Sequence, residues 1–412
     1  MVEKTPLIPR KWGWLALGAL LALQVYRVFA FPIRGDEVFP LMFGQIPLEN
    51  FADAWFEGYG PSPLHFLWSW VWGSNFWWGP RLLNLLVWWT GTAVWASFFQ
   101  RSEERRKWFF PWLMLGACSD LGLLAATDGQ WYVWVWLLGG VWFTQWNQTV
   151  ARQWKQAVGM GALLGFGGVI ALLLPLVFGI VQIRKAGPFA LQILSGTLVF
   201  SLFQHGGFSA DWSDLFHFSS SFSAAEVFEH LRSNSGFADP VGGIIWIGSL
   251  ALFFTMKDSK WKWLGILGVL KIMTLLAMLV LGWSPLENRT FLVLEWGAPL
   301  IFVVWSVRFR LSQKWLIGLL FLGGLNQVWS ILQAQKVAKM EWEKVEKKPS
   351  QSLKFDDRMN QRDLVYWGRV RWQMGREATF IFDEGTKRGE FLGGLADAAG
   401  EKSWVGTMEK EK

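Results

Sequence analysis

Residues 12–37 read WGWLALGALLALQVYRVFAFPIRGDE: a long apolar run from Trp12 to Phe31, then Pro32-Ile33, then Arg34-Gly35-Asp36-Glu37. An apolar run of ~20 residues crosses a bilayer as a helix, because a backbone in lipid must satisfy its own hydrogen bonds. The two adjacent carboxylates follow at the point where such a helix leaves the membrane. A solvated helix cap is one reading of that pair, and the residues that follow supply another.

Outward from this stretch, 52% of the chain is hydrophobic and 17% is charged. The charges collect in short clusters between long apolar runs, which predicts an all-α polytopic membrane protein. Nine spans are drawn: Trp12 to Phe31, Leu82 to Phe99, Phe109 to Ala126, Trp131 to Trp146, Ala157 to Ile180, Gly242 to Met256, Leu264 to Trp283, Phe291 to Val307 and Trp315 to Leu332. The surplus of lysine and arginine marks orientation rather than nucleic-acid binding. Lys4, Arg10 and Lys11, then Arg101, Arg105, Arg106 and Lys107, then Arg152 and Lys155, fall on one side, as do Lys257, Lys260 and Lys262 and Arg308, Arg310 and Lys314. By the positive-inside rule that side is cytoplasmic, with the N-terminus inside and the C-terminus outside. Pro188 to Phe203 is read as interfacial or re-entrant, since a tenth full span would reverse every later basic cluster. Cys118 is the single cysteine and excludes an internal disulfide. The first segment reads as a retained anchor, because no small-residue cleavage site follows it.

Three regions then face outward: Pro32 to Arg81, Gln204 to Val241, and the tail from Lys336. In the first, Asn50 to Glu57 reads as a short helix stopped by Gly58, and Ser62-Pro63 as the N-cap and first turn of a shallow helix through Trp72. The tail carries Ala378-Thr379-Phe380-Ile381-Phe382, a strand. The domains are therefore a membrane region, 1–335, and a small extracytoplasmic α/β accessory region, 336–412, with a disordered end.

The order of a first span, Asp36-Glu37, an outer loop, Pro61-Ser62-Pro63-Leu64, then Pro80-Arg81-Leu82, resembles the GT-C glycosyltransferases. The similarity is to the protein O-mannosyltransferase and lipid A aminoarabinose transferase branch. Asn288-Arg289-Thr290-Phe291, followed by Pro299, is similar to that branch's arginine-tyrosine element before a late span. At the start of the fourth span the branch has Arg-x-Tyr, whereas this chain has Asp128-Gly129-Gln130-Trp131-Tyr132. The resemblance implies a GT-C-like helix bundle in a bacterial inner membrane. It also implies transfer of a sugar from a polyprenyl-phosphate donor to an extracytoplasmic glycan, lipid or protein, with inversion at the anomeric carbon.

Such a displacement needs one carboxylate to deprotonate the acceptor, since the phosphate leaves unprotonated. Asp36 is the expected general base, with Glu37 orienting it or binding a divalent metal. Arg81 and Arg289 are first choices for the donor phosphate, because a guanidinium grips two oxygens at once, and Arg184, Lys185 and Arg232 are second. Snorkelling at a helix end accounts for Arg81 and Arg289 as well. Tyr59, His65, Trp68 and Asp128 are the expected substrate contacts, although an interfacial histidine satisfied by its surroundings also fits His65. Glu226, Glu229 and His230 share one helical face, a weak metal pattern. Asp120 lies within an apolar run, where an ionisable group faces a cavity or a partner. The chain has 32 tryptophans, assigned here to interface belts and to lipid packing, with Trp68, Trp70, Trp72, Trp77 and Trp78 crowding the outer loop. A lipid or solute transporter or flippase, and a catalytically degenerate GT-C-like subunit of a membrane complex, are the alternative functions.

Overall fold

The computed structural model describes residues 10–33, 37–56, 62–72, 76–117, 126–129, 132–149, 154–181, 186–203, 216–218, 254, 283–285, 313–346, 353–356, 361–382, 387–400 and 405–407. The expected spans 242–256, 264–283 and 291–307 fall almost wholly outside the described residues.

Helix α1 (Arg10–Ala30) ends just before Pro32, and α2 (Val38–Phe43) begins directly after Glu37. Next come α3 (Leu48–Phe56), α4 (Pro63–Trp72), α5 (Gly79–Gln100), α6 (Glu103–Ala117) and α7 (Tyr132–Thr149). Among the described residues, Trp12–Ala30 and Gly79–Gln100 are each long and apolar enough to cross a bilayer unaided. Ser62 caps α4: its Oγ accepts the His65 backbone N–H at 3.3 Å and donates to the Phe166 carbonyl at 3.1 Å. Pro63 follows the cap, where a missing N–H costs nothing.

Tryptophan holds α5 to α7 from within. The rings of Trp88 and Trp136 stack 5.5 Å apart, and Trp112 lies 5.2 Å from Trp136 on another side. Each indole needs an acceptor once buried. Trp136 Nε1 donates to the Trp88 carbonyl at 3.1 Å and Trp95 Nε1 to the Trp136 carbonyl at 3.0 Å. These four tryptophans pack the helices against one another.

The expected span Ala157 to Ile180 is not one helix. It divides into α8 (Trp154–Gly167), a 3₁₀ turn (Val169–Leu172) and α9 (Leu173–Val181). The break falls at Gly168, whose φ of 111° suits only a residue without Cβ. Helix α10 (Ala186–Leu202), the segment expected to be interfacial or re-entrant, then packs alongside α8. The approach is close enough that a Cβ on Gly161 would strike the Gln192 carbonyl, and one on Gly165 the backbone of Gly196. Ser195 Oγ donates to the Val158 carbonyl at 3.0 Å. Gly179 meets Phe189 and Leu172 meets Gly196, so α9 runs antiparallel to α10. The chain thus goes up, back and up. It finishes at Phe203, stacked 5.3 Å from Trp55 and tilted against Phe166 at 5.2 Å, at the end of the bundle where one span would have left it.

Strands β1 (Phe216–Phe218) and β2 (Trp283–Pro285) form an antiparallel pair. Helix α11 (Gln313–Glu346) continues unbroken through the expected boundary at 335/336. At a helical rise its length is about 50 Å, well beyond a hydrocarbon core of about 30 Å. Gln335 fixes its height against α1, accepting from the Tyr26 hydroxyl at 3.3 Å and donating to the Ala30 carbonyl at 3.3 Å. The last part of α11 therefore rises past the end of α1, to the C-terminal unit.

That unit is β3 (Leu353–Asp356), α12 (Gln361–Gly368) with a π turn (Arg369–Gln373), β4 (Ala378–Phe382), α13 (Lys387–Ala399) and β5 (Val405–Thr407). Its sheet is parallel in the order β3-β4-β5. One apolar core runs through it into α2, α3 and α4: Val38, Met42, Phe43 and Phe66 are buried with Trp367, Val370, Phe380 and Leu395. The tail is packed onto the loop that follows the first span.

Candidate functional site

Arg81 stands in the first turn of α5, just after Pro80, and is 1% exposed. Its side chain reaches back under the end of α1. Nε donates to Glu37 Oε1 at 2.6 Å and one terminal nitrogen to Glu37 Oε2 at 2.5 Å, a two-point ion pair. The same nitrogen donates to the Pro32 carbonyl at 3.0 Å, and the other to the carbonyls of Val28 at 3.2 Å and Phe31 at 2.6 Å. A guanidinium has five N–H donors, and all are taken by this chain. Arg81, expected at the donor phosphate, here ties the end of α1 to Glu37.

Glu37 is likewise committed. Its Oε1 also accepts the Gly129 backbone N–H at 2.7 Å. Gly129 belongs to the short segment before α7, where Arg-x-Tyr was missing, and Pro80 packs where a Cβ on it would stand. Asp128 beside it is 1% exposed and faces Arg27 of α1 at 3.5 Å. The Asp128 carbonyl accepts Asn84 Nδ2 at 2.5 Å. Asp128, expected against substrate, here joins α1 to α5 through Arg27 and Asn84. Two buried cations, Arg27 and Arg81, thus balance two buried anions, Glu37 and Asp128, which is the condition for charges to lie out of water.

His65 is 2% exposed on α4, with Nε2 3.4 Å from Ser69 Oγ and the ring against the Gly129 backbone. Burial pushes its imidazole down to about 3, with the Gly129 backbone pulling the other way. It is neutral at physiological pH. Trp68, one turn further along the helix, sets its ring edge-on to Trp134 at 5.5 Å.

Glu37, Arg81, His65 and Asp128 thus meet around Gly129, and each of the four is buried. Asp36 adjoins it in sequence. Asp36, Tyr59, Arg184, Lys185, Arg232 and Arg289 lie outside the described residues, as do Asp120, Glu226, Glu229 and His230. Among the described residues no group of three or more His, Cys, Asp or Glu side chains gathers to hold a metal. Sequence reasoning missed Arg27, Asn84 and Gly129. Arg27 carried a signal, since an arginine one turn from the end of an apolar run either snorkels to the interface or meets a partner.

The helical bundle, the juxtamembrane helices after the first span and the C-terminal unit define the GT-C fold. A solved structure with which the chain shares it is ArnT from Cupriavidus metallidurans bound to undecaprenyl phosphate. The TM-score is 0.59 at 12% identity, over 97% of this chain and 90% of that one. No family model matches the sequence, and no curated protein does.

Proposed function

We propose that the protein is an integral-membrane glycosyltransferase that moves a sugar from a polyprenyl-phosphate donor to an extracytoplasmic acceptor. The observation that carries this reading is the fold, shared along 97% of the chain with ArnT in complex with undecaprenyl phosphate. In the reaction the acceptor oxygen or nitrogen bonds to the anomeric carbon, and the bond from that carbon to the phosphate oxygen breaks with inversion. The acceptor proton passes to Asp36, and the polyprenyl phosphate departs as its anion. Glu37, saturated by Arg81 and Gly129, is neither base nor metal ligand in this scheme. It anchors the residue beside it. The phosphate falls to Arg289 first, with Arg184, Lys185 and Arg232 as the weaker candidates.

The placement of charge favours an enzyme over a carrier. A transporter keeps ionisable groups at mid-depth of several spans. Among the described residues the buried ionisable side chains, Arg27, Glu37, His65, Arg81 and Asp128, all lie at one end of the bundle. The test is binding of undecaprenyl phosphate to the purified full-length protein in nanodiscs, read by native mass spectrometry. Retention of one lipid phosphate in preference to a phosphatidylglycerol control is expected, and equal retention of both would contradict the reading.

A further inference from the structure

The backbone is gripped at Ile33 and again at Glu37, on either side of the sequence that holds Asp36. On one side is Glu37, held by Arg81 and Gly129. On the other is Ile33, which is 1% exposed. Its partners come from the far end of the chain. Arg369 Nε donates to the Ile33 carbonyl at 2.9 Å, and Gln373 Oε1 accepts the Ile33 N–H at 3.2 Å. Both hydrogen-bonding groups of one peptide residue are therefore taken by two side chains of one turn.

That turn is a π turn, in which the Met374 N–H reaches the Arg369 carbonyl at 3.0 Å and the Arg376 N–H the Val370 carbonyl at 3.1 Å. Wide turns of this kind recur at functional sites. Here the turn is fixed from beneath. Val370 and Trp367 are fully buried, Trp367 Nε1 donates to the Ala378 carbonyl at 3.0 Å, and Gly368 lies against Val38, the residue after Glu37. A side chain on Gly368 would displace Val38 and with it the start of α2.

We infer that Arg369 and Gln373 are positioning residues for the transfer reaction, and that the C-terminal unit fixes the backbone at Ile33, three residues before Asp36 in sequence. The inference rests on the reading of Asp36 as base, and acts through Ile33 rather than through contact with substrate. Bonding both the N–H and the carbonyl of Ile33 removes rotation of the peptide units on either side of it. A base displaced by about 1 Å loses on the order of a hundredfold in rate.

The test compares Gln373→Leu, which loses the acceptor, with Gln373→Glu, which keeps one, in the full-length protein. Hydrogen–deuterium exchange of peptides covering residues 31–39 is read against β4, 378–382. In Gln373→Leu the amides around Ile33 are expected to exchange about tenfold faster with β4 unchanged, and in Gln373→Glu to stay protected. The kcat, corrected for folded protein, is expected to fall about tenfold in Gln373→Leu with the donor KM unchanged. Unchanged exchange near Ile33 would overturn the inference. So would equal loosening in both variants, or loosening of β4 to the same extent. Full turnover by Asp36→Asn would remove the base and leave the exchange result to decide the clamp separately.

Discussion

The segment between the first span and α2 is held at its two ends by unlike means. At Glu37 the grip is ionic and entirely buried, a guanidinium from α5 that also gathers three carbonyls from the end of α1. At Ile33 it consists of two hydrogen bonds to backbone, backed by an apolar core shared with the C-terminal unit. The first kind fails all at once, because removing one partner strands a charge out of water. The second fails by degrees, as each hydrogen bond or packed ring is lost. A short stretch of chain with a carboxylate beside it is thereby fixed by the bundle and trimmed by the tail.

Breaking the ionic grip has the largest expected effect on stability. Arg81→Ala leaves Glu37 without its guanidinium and three carbonyls without donors, and is expected to cost about 3–5 kcal/mol. Thermal unfolding in detergent checks this. A loss below about 1 kcal/mol would show that water or another side chain takes over.

The apolar side of the second grip comes next. Trp367→Ala empties a fully buried site beside Phe380 and frees the Ala378 carbonyl, at an expected cost of about 3 kcal/mol. Limited proteolysis is expected to cut the C-terminal unit first while α5 and α7 stay intact. Simultaneous loss of both would mean that the two grips are not separable.

The smallest expected effect at neutral pH concerns His65, which lies under the ionic grip. Its folded value of about 3 is below the usual 6.5, so between those values the unfolded chain binds a proton that the folded chain refuses. Stability is fully present above pH 6.5 and falls as the pH drops below it. The loss is about 0.8 kcal/mol at pH 6 and approaches about 1.4 kcal/mol for each further unit. His65→Leu is expected to flatten that acid limb in pH-dependent melts. An unchanged slope would assign the acid sensitivity elsewhere.

The two grips also differ in how far the sequence discloses them. Glu37, Arg81, His65 and Asp128 stand at predicted helix ends and outer loops, and polar groups there draw notice because apolar spans isolate them. What each touches was less accessible. A guanidinium at the start of a helix reads alike whether it meets a phosphate or a glutamate, and only the fold supplies the five acceptors around Arg81. Arg369 and Gln373 gave no signal at all, since their partner is a backbone more than 300 residues away. The division of Ala157 to Ile180 was hidden for another reason. Its residues are apolar on every side, so no periodicity marks the turn, and Gly165-Phe166-Gly167-Gly168 alone carried the clue.

The central claim is the division of labour between neighbouring carboxylates, with Asp36 acting on the acceptor and Glu37 holding the chain. It is tested most directly by Asp36→Asn in the purified protein, assayed for release of undecaprenyl phosphate from a lipid-linked sugar donor with acceptor present. Turnover is expected to fall at least 10³-fold, about 4 kcal/mol in barrier, while the melting temperature and undecaprenyl phosphate binding are retained. Turnover within a few fold of the unsubstituted protein would contradict the account.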